Sequence, residues 1–144
     1  MSGKKWMTLI LMPAALGAGA GRCAAAEAAP QRRFEVTTVT GMPHLDENLR
    51  YATVTETMCL NVQELSGVFW MLKDVSLQDC KLVKSEQTAD AASYALQCTG
   101  GHGTQGSASW ELGSSALTGT LQVRLGGKNM TFFQRVNARA VGSC

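Results

Sequence analysis

Histidine is almost missing from this sequence: only His44 and His102 occur in 144 residues. Neither stands at ligand-like spacing from another ligand, and there is no C-x-x-C pair. Both facts argue against zinc. The G-x-S-x-G elbow of serine hydrolases is also missing, and Ser66 and Ser107 lie in no nucleophile motif. A general base needs an oriented partner and a nucleophile beside it. Both histidines fall in expected loops, so a hydrolase built on His44 or His102 is the weakest functional alternative. Beyond the N-terminus no run approaches the ~20 apolar residues of a transmembrane helix. The basic residues form no clustered patch, so neither nucleic acid nor an anionic membrane surface is an expected partner. No cofactor is expected.

What the N-terminus does contain is a short positive region, Lys4 and Lys5, then an apolar run from Trp6 to about Ala20. The small residues of CAAAEAAP follow, with A-x-A-like sites after Ala26 or Ala28. This is the pattern of a secretory signal peptide over residues 1–26. Cys23 could suggest a lipid anchor, but Arg22 stands where such processing needs a small residue, so a soluble exported chain is expected. Cleavage after Ala26 would remove Lys4, Lys5 and Arg22, leaving ten basic residues against eleven acidic ones. Residues 27–32 then form a polar linker and 33–144 one domain, which is long enough for a core of its own.

Four cysteines remain in that domain, Cys59, Cys80, Cys98 and Cys144. An even count in a small exported domain points to two disulfides, with three possible connectivities. The preferred pairing is Cys59–Cys80, closing a loop around a short helix, with Cys98–Cys144 tying the chain end to the sheet. No cysteine is then left as a nucleophile.

The hydrophobic pattern has mostly a period of two. FEVTTV (34–39), YATVTETM (51–58), Cys80 to Lys84, Ser93 to Cys98, SASWEL (107–112), LTGTLQVRL (117–125) and MTFFQRV (130–136) are expected strands. In LTGTLQVRL, Leu117, Leu121, Val123 and Leu125 share one face, and Thr118, Thr120, Gln122 and Arg124 the other. Such alternation describes a sheet with one buried and one wet side. Adjacent Phe132 and Phe133 must point to opposite faces, one to the core and the other to a ligand or partner surface. One helix is expected over Val62 to Leu72. Asn61 and Glu64 resemble a capping box there, and Val62, Leu65, Phe69 and Leu72 form a stripe that packs on the sheet. Short connections leave room for hairpins but not for crossovers. The expected fold is therefore mainly β: a curved antiparallel meander of six to eight strands, or a partly closed β-barrel, with one short helix and two disulfides.

Residues 101–106, GHGTQG, match G-x-G-x-x-G. A dinucleotide loop must lead from a strand into a helix, whose N-terminal N–H groups hold the pyrophosphate. Here SASWEL follows, which alternates as a strand, so the segment is expected to be a hairpin loop. Asp46, Glu47, Asp74 and Asp79 are expected to be loop charges. Asn129-Met130-Thr131 spells a glycosylation sequon, which matters only in a eukaryotic secretory pathway.

Several short motifs occur together: Phe34 to Thr38, Met42-Pro43, Thr55 to Leu60, Cys80, Cys98, Thr118 to Thr120 and Gly142 to Cys144. With them the chain resembles the DUF3617 family of small exported bacterial envelope proteins of unknown function. The resemblance implies a periplasmic or secreted, disulfide-bonded, mostly β domain, and supplies no catalytic residues. The expectation is a non-enzymatic binding module for a small hydrophobic ligand held in the curved sheet. The alternative is a structural or protein-interaction domain, binding another envelope protein, whose interior is packed core.

Overall fold

The computed structural model describes residues 31–42, 51–100, 102–127 and 130–144. The expected signal peptide with Cys23, most of the linker, Pro43, His44, Asp46, Glu47 and Asn129 lie outside the described residues. Seven strands form one antiparallel sheet: β1 (Arg32–Gly41), β2 (Tyr51–Leu60), β3 (Cys80–Gln87), β4 (Ala91–Cys98), β5 (Gln105–Leu112), β6 (Ala116–Leu125) and β7 (Met130–Ser143). Their order across the sheet is β2-β1-β7-β6-β5-β4-β3. The run from β3 to β7 is a meander of hairpins. The β1–β2 hairpin then adds to the free side of β7, pairing through β1. β2 and β3 end as the two edges, so the sheet does not close into a barrel. β1 begins at Arg32, at the end of the expected linker.

One face of the sheet is buried, and the alternation of the strands decides which residues line it. Phe34, Val36, Thr38 and Thr40 of β1 point inward, as do Ala108 and Trp110 of β5, Leu117, Leu121 and Val123 of β6, and Gln134, Val136 and Ala138 of β7. The cover over this face is the connection from β2 to β3, which runs from one sheet edge to the other and buries Leu65, Phe69, Met71 and Leu77.

That connection corrects the expected helix. Instead of one α-helix over Val62 to Leu72 it contains three 3-10 turns, Ser66–Val68, Trp70–Lys73 and Val75–Leu77. Extended backbone at Phe69 (ψ 96°) and Asp74 (ψ 144°) separates them. The expected cap became a tight turn: Glu64 N–H donates to Asn61 O at 3.0 Å, and Gln63 N–H donates to Asn61 Oδ1 at 2.9 Å. A segment that must span the whole sheet gains reach from the 3-10 rise of ~2.0 Å per residue, against ~1.5 Å in an α-helix. Gly67 further weakens a continuous helix. The buried residues therefore sit at irregular spacing and not on a helical stripe.

The disulfides also differ from the preferred pairing: they are Cys59–Cys144 and Cys80–Cys98. Topology explains both. Cys59 is next to last in β2 and Cys80 opens β3, so they lie on opposite edges of the sheet. Within the β3–β4 hairpin Cys80 is directly opposite Cys98. Cys59 pairs with Arg33, which in turn pairs with Gly142 of β7, and this brings the chain end within reach of β2.

Candidate functional site

The interior under the 3-10 layer is filled with side chains. Phe34, Leu65, Phe69, Trp110, Leu117 and Leu121 are each at most 1% exposed. The rings of Phe69 and Trp110 lie 5.2 Å apart and tilted by 48°, joining the cover to the sheet. Opposite Trp110 on β6 is Gly119. A Cβ there would lie 2.7 Å from the indole Cε2 and Cζ2, so glycine is what lets the ring lie flat on the sheet. A matching pair occurs on the outer face, where the Phe133 ring covers Gly41, its partner in register.

Gln134 is the one fully buried amide in the described core. Its Nε2 donates to Thr40 Oγ1 at 2.9 Å, and its Oε1 accepts from Met71 N–H at 3.2 Å. This links β7, β1 and the crossing segment. Tyr94 makes a second link, its hydroxyl accepting from Leu65 N–H at 3.2 Å. Burial pushes the Tyr94 phenol above its usual range, and the nearby Glu64 charge adds to this against the opposing effect of the Leu65 N–H.

Two depressions flank this packed interior. A small apolar one of about 110 Å³ lies where β1 ends and β7 begins, between Thr40, Trp70, Met71, Leu77 and Phe132. Drug-sized ligands fill roughly 300–1,000 Å³, so it is too small for a lipid-like molecule. A rim cleft of about 510 Å³ opens at the other end, beside Arg32, Leu60, Val62, Gln87 and Leu112. Arg32 Nη1 there donates to Ser114 O at 2.7 Å, and its guanidinium stands 5.6 Å from the Phe34 ring centre.

The adjacent phenylalanines divide as the strand period requires. Phe132 lines the small apolar depression. Phe133 lies on the outer face, 6.3 Å from the Tyr51 ring, with the Arg135 guanidinium 4.8 Å from its centre.

The two edges of the sheet are unlike. β3 carries exposed Lys81 and Lys84, and its register with β4 shifts between Lys84 and Glu86. The Lys84 ammonium donates to Gln63 O, and Gln87 Nε2 donates to Val62 O at 3.4 Å, so the crossing segment rests on this edge. β2 has none of these features. It pairs with β1 over ten consecutive residues without a shift, contains no lysine, arginine or proline, and is exposed from Tyr51 to Thr57. Ala52, Val54 and Met58 share its inner face and the threonines its outer face, but Val54 is 46% exposed because no layer among the described residues covers it.

The structure does not gather the candidate catalytic groups. His102 is exposed in the β4–β5 connection and makes no side-chain hydrogen bond among the described residues. Ser107 is exposed on the outer face, and Ser66 Oγ donates to the Glu64 carboxylate. That bond holds Glu64 below the usual carboxylate range. Asp74 is lowered in the same way by the hydroxyl and N–H of Ser76, capping a 3-10 turn. Asp79 Oδ2 accepts from Gly100 N–H at 2.8 Å. These carboxylates therefore hold turns together. Among the described residues no three His, Cys, Asp or Glu side chains converge as a metal site would require.

GHGTQG connects β4 to β5, with strand on both sides. Gly103 has φ +74°, Gly106 already belongs to β5, and Thr104 Oγ1 accepts from Gly126 N–H at 3.2 Å. A Cβ on Gly126 would fall 1.5 Å from His102 O. The glycines let two neighbouring turns pack on each other, and no helix N-terminus follows to hold a phosphate. No protein-family model, curated protein or solved structure matches this chain.

Proposed function

We propose that the chain is an exported, non-enzymatic interaction domain of the bacterial envelope, using an open edge of its sheet to engage a protein partner. The observation that carries this is the contrast between a filled interior and the edge strand β2, with which no strand among the described residues pairs on the side away from β1. A solid core leaves a ligand little room inside the sheet. An edge strand without a basic residue, a proline or a bulge offers its outward N–H and C=O groups to another strand, the arrangement most domains avoid. Two disulfides and the resemblance to DUF3617 support an oxidising compartment outside the cytoplasm. The test is site-specific photo-cross-linking in intact cells from position 55 on β2, with positions 84 on β3 and 109 on the outer face as controls. Adducts from 55 alone are expected. Adducts absent at all three positions would overturn the reading.

A second reading, binding of a small hydrophobic ligand, rests on the rim cleft with its Leu60, Val62 and Leu112 walls and the Arg32 cation. Native mass spectrometry of the protein purified without detergent decides it. A bound mass removed by Leu112→Arg would favour this reading over the first.

A further inference from the structure

We infer that β2 pairs with β2 of a second copy of this chain, in antiparallel register centred on Thr55. This rests on reading the chain as an interaction domain and names its partner. In antiparallel pairing only alternate residues of β2 direct their N–H and C=O towards β1, so the remaining groups face outward along the whole strand. The other edge is closed to such pairing by Lys81, Lys84, the register shift and the crossing segment.

Why a second copy follows from the residues of the strand. A two-fold axis through Thr55 pairs Thr53 with Thr57, Ala52 with Met58 and Tyr51 with Cys59. Side chains stay on matching faces, and the overlap runs over Tyr51–Cys59, nearly the full strand. Glu56 is the only charge on β2, and in this register it faces Val54 and not its own copy. An axis at Glu56 would set two carboxylates opposite each other, which cross-strand pairing penalises. The threonine, valine and tyrosine content that suits β2 to a sheet suits it equally to pairing with itself. The product is one continuous fourteen-stranded sheet, twice the seven of one chain, in which the exposed inner-face Val54 gains a neighbour.

The register makes opposite demands on two adjacent substitutions at exposed sites. Thr55→Lys places two lysines against each other on the axis, whereas Val54→Lys places each lysine against Glu56. Sedimentation velocity of the mature, oxidised protein should show a concentration-dependent dimer for the wild type. Thr55→Lys should lose it and Val54→Lys should keep it, with circular dichroism confirming that both variants fold. A monomeric wild type at about 100 μM, where even a modest interface would associate, overturns the inference. So does a dimer that survives Thr55→Lys, or one lost with Val54→Lys but not with Thr55→Lys. If the wild type is monomeric yet position 55 cross-links to a different protein in cells, self-pairing fails and the interaction reading stands. If it is monomeric and gives no adduct, both fail.

Discussion

Replacing Gly119 by alanine tests whether the core is organised by an aromatic ring lying on a glycine. The added Cβ would stand 2.7 Å from Cε2 and Cζ2 of Trp110 and 2.8 Å from Cδ2. Ordinary carbon contacts lie at about 3.5–4.0 Å, so the indole must move by nearly an ångström. It has nowhere to go, because Phe69 covers it and Leu117 and Leu121 fill the neighbouring inward sites of β6. Overpacking of this kind costs roughly 1–3 kcal/mol. Glycine's own entropic disadvantage in a strand returns roughly 0.5–1 kcal/mol. The expected net loss is about 1–2 kcal/mol, which for a domain of this size lowers Tm by about 4–8 °C. Urea unfolding followed by far-ultraviolet circular dichroism measures it. Trp110→Phe shortens the ring, and because the indole N–H has no hydrogen-bond partner among the described residues that change costs packing only. In the Trp110→Phe background, Gly119→Ala should therefore cost less, with a coupling of about 1 kcal/mol. A Gly119→Ala variant as stable as the wild type, or additive with Trp110→Phe, would refute the reasoning.

Gln134→Met keeps the volume but leaves Met71 N–H and Thr40 Oγ1 without their partner. A loss of about 2 kcal/mol is expected, and adding Thr40→Val should cost less than it does alone, as measured by denaturant midpoints. For the disulfides, chain entropy assigns about 4.6 kcal/mol to Cys59–Cys144, with its separation of 85 residues, and about 3.2 kcal/mol to Cys80–Cys98, with 18. Replacing Cys59 and Cys144 by alanine should therefore lower the midpoint more than replacing Cys80 and Cys98, and thiol labelling of the exported protein should find none free. Tyr94 predicts an alkaline limb. Its phenol is raised in the folded state, while unfolded tyrosine ionises near pH 10, so the folded chain holds the proton more tightly. The stability is fully present below about pH 10 and falls as pH rises above it. Tyr94→Phe should flatten that limb in stability measured from pH 8 to 11, and an unchanged slope would remove Tyr94 as its cause.

Glycine-rich GHGTQG shows how far a motif can be judged without coordinates. The strand pattern on both sides of it was enough to identify a hairpin, since a phosphate loop requires a helix that SASWEL cannot form. Phe132 and Phe133 were equally legible, because adjacent residues of a strand cannot share a face. The helix over Val62 to Leu72 was not. Its apolar spacing fits one turn of helix after another, but the segment has to cross the sheet, and the burial of Leu65, Phe69, Met71 and Leu77 favours short turns joined by extended links. The bare edge of β2 left no clear signal either, since YATVTETM looks the same whether one neighbour or two flank it.

The sequence by itself determined the β class, the alternation that divides each strand's residues between two faces, the hairpin loops and the presence of two disulfides. All of these depend on neighbours in the chain: side-chain alternation repeats every two residues, and short loops permit only antiparallel neighbours. Tertiary structure alone decided that β1 pairs with β7, that β2 and β3 stay as edges, that Cys59 meets Cys144, and that Gly119 lies under Trp110. It also decided that Gln134, a polar residue, is buried, because its two partners come from distant segments. Contacts between strands far apart in sequence depend on how the whole apolar face is buried at once, and no local pattern encodes that choice.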